Sequence, residues 1–410
     1  MLKIELLEII ANGENSGVEF KRDDIRPEQL AKEIVAMVNF QGGRVILGVE
    51  DDGTVSGLQR ENTEEWVMNI IKAKIHPLLL PFYEEVKVDN KVVAVITFPQ
   101  GISKPYVLRD RDAEKIYIRV GSTSRLASRE QQMRLFELGG MLHTEALPVP
   151  RTDISCLDMA RLQNYLGDIL NDPEVPQNDN EWRNRLLGLG FLVDAGGVVY
   201  CSVAGLVLFG KNPRRYLKQA GIRIFSFQGK EKEYKSLMDE ILDAPLVGRW
   251  SITKAGKELI DNGLIEKFLD QAKPFIVLEP DGIDENFRRA PQWFYPYDAV
   301  RESVVNALAH RDWTRYVDVE VGLYVDRMEV ISPGALQNSM TIEKMIAGQR
   351  STRNSIIMEV LRDYGYVDFR GMGVRTKLIP LMRANNECDP LFEVTGDYLK
   401  VTLYRKGAVQ

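Results

Sequence analysis

Cysteine is scarce in this chain: Cys156, Cys201 and Cys388 stand far apart among 410 residues, with no CxxC pair and only three histidines. A disulfide framework and a zinc-ribbon spacing are thereby excluded, and a reducing, cytoplasmic setting is expected. No apolar run approaches the ~18 residues that a membrane span requires. The opening MLKIELLEII carries charges through its apolar residues, unlike a signal peptide, so no membrane partner is expected. Basic residues are not in excess either. Lys and Arg number 53 against 59 Asp and Glu, a net charge of −6, which excludes a protein that coats nucleic acid by bulk charge. A local basic patch stays open, because net charge says nothing about distribution. There is no Walker A motif, hence no P-loop motor, and there is no internal repeat or low-complexity tract. What remains is ordinary: 44% hydrophobic and 27% charged residues, enough for a good core, in a length that suits two or three domains.

Periodicity orders the chain as follows. A short helix ends at Asn12-Gly13 and a loop and strand span Glu14–Lys21. Pro27 then opens a helix to Phe40, with Leu30, Ile34, Val35 and Val38 at helical spacing. Gly42-Gly43 turns into a buried strand, Arg44–Val49, which runs into Glu50-Asp51-Asp52. A helix at Thr63–Lys74, a hairpin Tyr83–Val88/Lys91–Phe98, a strand Lys115–Val120 and a helix Gln131–Met141 complete the first part. The stretch Ala146–Arg151 reads as a linker. Further on, Cys156–Leu170 and Asn180–Leu189 read as helices, Gly221–Phe227 as a strand, Asp239–Lys273 as largely helical and Pro280–Pro296 as a loop. Then come a helix Asp298–His310, a hairpin Val317–Val325/Asp326–Ile331, helices Met340–Gly348 and Asn354–Tyr364, the glycine turn Arg370–Gly373 before a last helix Val374–Ala384, and a closing hairpin. The fold class is α/β (α+β), with three regions: 1–145, mixed α/β; 152–290, mostly helical; and 291–410, an α/β sandwich.

Two clusters carry chemistry. In the first, Glu14 and Glu19 lie in a short extended segment and Asp51 lies beyond the strand that follows. If the three converge, they offer three oxygen ligands for Mg²⁺ or Mn²⁺, an ion that activates water and steadies a phosphodiester. Lys21 would neutralise a phosphate or a developing anion. The plain alternative is a solvated acidic loop. The pattern Glu14…Val18-Glu19-Phe-Lys21, then Val38-Asn39-Phe-Gln-Gly42-Gly43 through Gly48-Val49-Glu-Asp51-Asp-Gly53, with Tyr117-Ile-Arg-Val-Gly-Ser-Thr later, resembles the Schlafen AlbA-type domain over residues 10–140. The resemblance implies a nucleic-acid partner, RNA or DNA. Some members are metal-dependent RNases whose acidic triad corresponds to Glu14, Glu19 and Asp51, and many bacterial members are described as DNA-binding regulators. Basic and aromatic groups should then line a groove: Arg22, Arg44, Lys104, Arg119 and Arg125, with Tyr106 and Tyr117 able to stack bases. By the same analogy a homo-oligomer is expected.

In the second cluster, Glu302, Asn306 and His310 recur every four residues along one stripe of a helix, away from the apolar Val300, Val304, Val305 and Leu308. A carboxylate and an amide one turn apart can orient water and bind an ion, or can simply be the polar face of an amphipathic helix. This segment resembles the GHKL ATP-binding fold over about 290–405. The resemblance assigns Glu302 to water activation and Asn306 to Mg²⁺. Gly371 and Gly373 would form a phosphate-side glycine box and Gly334 would belong to the adenine-reading turn, with ATP as ligand. That turn departs from the family pattern: Ser332 stands where the family has its adenine-reading aspartate, and Asp326 lies too early to replace it. Together with Leu208-Phe-Gly-Lys-Asn-Pro213 and His310-Arg-Asp312, the whole resembles bacterial RecG-related predicted transcriptional regulators. Two functions follow as expectations: a Mg²⁺- or Mn²⁺-dependent endonuclease gated by nucleotide, serving stress or defence, or a non-catalytic ATP-responsive DNA-binding regulator.

Overall fold

Pro27 fixes the first turn of the helix Pro27–Asn39, whose residues Leu30, Ala31, Ile34, Val35, Met37 and Val38 are all buried. The helix stops where Gly42, at φ +81°, turns the chain so tightly that a Cβ would collide with the backbone of Phe98–Gln100. The strand Gly43–Leu47 then enters a core of Val45, Ile46 and Leu47. A computed structural model describes residues 1–110, 113–253, 256–278, 292–337, 340–349, 351–367 and 372–408. No described helix is long and apolar enough to cross a membrane. The chain divides into two compact units, Met1–Leu142 and His143–Gln410.

The first unit is built on a four-stranded sheet in the order Val18–Lys21, Gly43–Leu47, Lys91–Phe98, Phe82–Val88. Its first two strands are parallel, with Lys21 opposite Leu47, and the others are antiparallel. Parallel pairing carries both chains out of the same end of the sheet. It therefore brings Lys21 and the residues after Leu47 together, although a helix separates them in sequence. Asn39, at the end of the helix, is buried. Its amide donates to the carbonyls of Tyr106 and Tyr117 and accepts from the Tyr106 N–H, so it ties three segments to one point.

The second unit holds a six-stranded sheet in the order Met238–Leu242, Ile222–Ser226, Val319–Leu323, Arg327–Pro333, Tyr398–Tyr404, Leu391–Val394. Only the pairing of Ile222–Ser226 with Val319–Leu323 is parallel. The helices Tyr297–His310, Ser355–Asp363 and Ile379–Asn386 contribute Val304, Val305, Leu308, Leu361 and Met382 to the same core. One expectation is corrected here. Residues 239–273 are not one helix: they form strands Met238–Leu242, Arg249–Thr253 and Gly256–Asp261 before the helix Leu264–Ile276. The acidic and basic residues of this stretch suggest a helix, but Ile241, Trp250 and Ile252 favour strands. Helical burial, at Leu264, Ile265, Phe268, Ala272 and Ile276, begins only after Gly263. The apolar run 198–209 splits into a strand, Val198–Cys201, and a helix, Val203–Phe209, because the Ser202 hydroxyl accepts the Gly205 N–H and caps a new helix. Most of the loop expected at 280–296 lies outside the described residues, as do Arg370 and Gly371.

Glu145 connects the start of the second unit to its far end. It is fully buried in the short turn Thr144–Ala146, and its carboxylate accepts the N–H groups of Ile356 and Ile357 and the Ser355 hydroxyl at 2.9, 3.0 and 3.1 Å. It thus caps the helix Ser355–Asp363 from outside that helix. Glu145→Ala strands those donors and should cost the second unit about 1–3 kcal/mol. Four of the five tryptophans, Trp182, Trp250, Trp293 and Trp313, lie in that unit. Denaturant unfolding followed by tryptophan fluorescence therefore reads the effect, and an unmoved midpoint would refute the capping role.

Candidate functional site

The parallel strand pair explains how the first cluster assembles. Lys21 Nζ lies 2.6 Å from Glu19 Oε1, 3.5 Å from Glu14 Oε1 and 3.8 Å from Asp51 Oδ1. The three carboxylates do converge, and an ammonium lies at the point where they meet. Glu14 also accepts the Phe20 N–H at 2.9 Å, which closes the loop onto the strand. Burial opposes the Lys21 charge, but the hydrogen bond and charge of Glu19, then Glu14 and Asp51, outweigh it and raise its pKa above the ordinary value. Glu19 is buried and is also held by Arg119, whose side chain is wholly buried and bridges on to Glu33 at 3.0 Å. Asp51 is 84% exposed. Glu50 turns instead to Arg22 (3.8 Å), and Asp52 accepts the Thr54 N–H, so the acidic neighbours bond away from the cluster. Lys21 fills the position a cation would take, and among the described residues no group of three or more Asp, Glu, His or Cys is disposed to hold a metal ion. As arranged, Glu14, Glu19 and Asp51 do not fit an ion unless Lys21 moves.

Three residues expected to meet nucleic acid are interior instead. Lys104 is buried and donates to the Phe40 carbonyl at 2.8 Å; burial pushes its pKa down to about 8. Tyr106 belongs to the core around Ile34 and Val38. Arg119 is consumed by Glu19, Glu33 and the Asn15 carbonyl. A buried guanidinium with such partners cannot reach a phosphate, and the sequence gives no sign of its burial because the late strand Tyr117–Val120 alternates weakly. Arg22 and Arg125 are exposed, and Arg44 and Tyr117 are half-buried.

In the second unit, Glu302, Asn306, His310, Gly334 and Gly373 all border one cavity of about 190 Å³. That is more than ten times the roughly 10–15 Å³ one water needs. Asn306 donates its amide to Glu302 Oε1 at 3.0 Å, so its amide oxygen is the atom left to offer a cation. Gly373 has ordinary helical φ, yet a Cβ there would overlap the Glu302 carboxylate. A side chain there would have to push the Glu302 carboxylate aside. Gly334 needs glycine twice: φ is +109°, and a Cβ would run into Arg353 and Asp312. Val330, Phe392, Leu399 and Val401 give the cavity an apolar wall from the sheet. Ser332 also borders it, and its buried hydroxyl donates to the Ala307 carbonyl at 3.0 Å. Asp326 is elsewhere, at the hairpin turn against Arg327. Gly371 lies outside the described residues.

One wall residue and its chain neighbour escaped sequence reasoning. Arg353 donates to the carbonyls of His310 (3.1 Å) and Ala335 (2.7 Å). Asn354, fully buried, donates to those of Ala309 and Arg311, both at 2.9 Å, and so closes the C-terminal end of the helix Tyr297–His310. Their position just before an amphipathic helix was the available signal. Arg311 is buried too and donates to the carbonyls of Gln219, Arg315 and Val317, so the His310-Arg311-Asp312 box is scaffold at its centre.

Two family models match, one within each unit. Residues 14–128 match a family model described as "Schlafen, AlbA_2". Residues 317–403 match one described as "Putative ATP-dependent DNA helicase recG C-terminal". Among solved structures, a crystal structure of a Corynebacterium diphtheriae protein is 23% identical, with a TM-score of 0.45, covering 99% of this chain and 80% of that one. The solution structure of the N-terminal domain of a RecG-related protein from Nitrosomonas europaea is 20% identical, with a TM-score of 0.25, covering 32% of this chain and 93% of that one. No curated protein matches.

His310 supplies a test of the cavity's electrostatics. Burial, then the Arg353 charge, pushes its imidazole down to about 4 from the usual 6.5. Between those values the unfolded chain binds a proton that the folded chain refuses. The His310 contribution to stability is therefore fully present above pH 6.5 and is lost as pH drops toward 4, with a slope approaching about 1.4 kcal/mol per pH unit. His310→Gln should flatten that slope in unfolding measured across this range. An unchanged slope would place the imidazole in solvent.

Proposed function

We propose that this chain, which joins a Schlafen AlbA_2 domain to a domain of the recG C-terminal type, is a nucleic-acid-directed protein that binds ATP with Mg²⁺ in its second unit. The observation that carries the reading is the Glu302–Asn306 pair on the wall of a cavity with an apolar sheet face opposite. Mg²⁺ keeps several waters and takes one or two protein oxygens plus phosphates, which suits one carboxylate and one amide oxygen. When bound, the ion would neutralise phosphate charge. Asn306 and Glu302 would hold it, and the backbone at Gly373 would let the phosphates approach Glu302. Ser332 already spends its proton on Ala307, so base recognition rests on the apolar wall more than on a charged reader. Isothermal calorimetry with ATP and Mg²⁺ should give binding that Asn306→Ala and Gly373→Ala each weaken about tenfold or more. Absence of heat with ATP, with or without Mg²⁺, would remove the reading.

For the first unit, the buried ion pairs of Lys21 and Arg119 favour nucleic-acid binding without cleavage, under control of the nucleotide. One observation favours a second reading, Mg²⁺- or Mn²⁺-dependent cleavage of RNA or DNA: Glu14, Glu19 and Asp51 meet at one point. This reading requires Lys21 to swing away. Asp51 is largely exposed, so Asp51→Ala should leave the fold intact while abolishing metal-dependent cleavage of labelled tRNA or single strands and sparing their binding. Cleavage that survives Asp51→Ala, or no cleavage with either metal, decides for the regulator.

A further inference from the structure

Immediately beyond Lys21 the first unit has a second feature that neither cluster uses. Arg22, Asp23, Ser56, Gln59 and Arg60 border a surface depression of about 390 Å³, at the lower end of the roughly 300–1,000 Å³ of ligand sites. Asp23 is only 6% exposed. Its Oδ2 accepts the N–H groups of Gln59 and Arg60 at 2.7 and 2.6 Å, which fixes that loop. Its Oδ1 has no hydrogen-bond partner among the described residues, and neither has Ser56 Oγ or Arg60 Nε. Arg60 Nε lies 3.6 Å from Asp23 Oδ1, close enough for charge attraction and too far for a hydrogen bond. Two buried polar atoms on one depression, the carboxylate oxygen of Asp23 and the Ser56 hydroxyl, are thus left without hydrogen-bond partners, where such groups are ordinarily satisfied.

The same depression has a flat wall. The Arg60 guanidinium lies 3.8 Å over the Trp66 ring and donates to the Asp23 carbonyl at 2.8 Å, so one face of the plane is fixed on an aromatic. Arg22, 61% exposed, is held only by Asp24 at 3.3 Å and Glu50 at 3.8 Å. We infer that this depression holds one unpaired base of a single-stranded nucleic acid. The base would stack on the open face of Arg60 and turn an N–H edge to Asp23 Oδ1, while Arg22 meets the adjoining phosphate. A free anion fits poorly, because Asp23 and Asp24 repel it. A metal ion fits poorly, because Arg60 stands against Asp23 Oδ1 and Arg22 against Asp24. A planar neutral group with a donor on its edge can stack on Arg60 and serve Asp23 Oδ1 together.

This inference rests on the nucleic-acid reading above, and the experiment separates the two. Full-length protein is titrated with a short fluorescent single strand, its duplex, and the same strand carrying abasic residues. The intact single strand should bind about tenfold or more tighter than the abasic one. Asp23→Asn and Arg60→Gln should each bring it to the abasic level, while abasic affinity, carried by phosphates, changes less than about twofold. Ser56→Ala, which disturbs no hydrogen bond of the loop, should reduce the same preference part of the way. Equal affinity for intact and abasic strands, or a preference untouched by all three changes, overturns the base subsite and leaves nucleic-acid binding standing. No binding of any strand overturns both.

Discussion

The buried Arg119 guanidinium is the constraint around which the first unit is arranged. A charge withdrawn from water costs several kcal/mol unless its partners are complete. Glu19, Glu33 and the Asn15 carbonyl supply them at the two terminal nitrogens, and Nε alone stays without a hydrogen bond. Glu19 then has one oxygen committed inward and one left for Lys21, and Lys21 gathers Glu14 and Asp51. The result is a chain of alternating charge running from the interior to the surface. Four carboxylates face three cations along it, Arg119, Lys21 and Lys32 beside Glu33, so the network carries one negative charge in excess. That imbalance is what makes the cluster receptive to a further positive group, and the geometry decides how far such a group can enter.

The second unit solves a similar problem with carbonyls in place of carboxylates. Arg353 and Asn354 donate to the carbonyls of His310, Ala309 and Arg311 at the end of the helix Tyr297–His310. A helix C-terminus leaves its last carbonyls without partners, and here side chains from distant segments take them. The cavity can then stay open beside Glu302 because its rim is held by backbone groups and by two glycines, Gly334 and Gly373, that leave no room for a side chain. Rigid walls of this kind lower the ordering cost of ligand binding.

Much of this was legible from sequence where periodicity and glycine chemistry are strong. The helix Pro27–Asn39, the helix Thr63–Lys74 and the hairpin after Asp318 carry clear apolar patterns, and both chemical clusters stood out by residue type and spacing. Legibility failed where burial depends on tertiary partners. Lys104 and Arg119 have the composition of surface contacts, and only distant residues make them interior. It failed again at 239–273, where charged residues on exposed hairpins imitate a polar helix face. Asp23, Ser56 and Arg60 had no motif at all, because their significance lies in bonds they lack.

The parallel pairing of Ile222–Ser226 with Val319–Leu323 bears on how the protein is made. An antiparallel hairpin can close as soon as its second strand leaves the ribosome, but this central strand is synthesised long before the neighbour it requires. Until then its far edge has only Met238–Leu242 to pair with. The nascent chain must therefore carry a half-built sheet, one apolar edge open, through the translation of two further hairpins and two helices. The segment 317–403 is in turn incomplete as a folding unit, since the strand that borders it comes from a part of the chain that its family description does not reach.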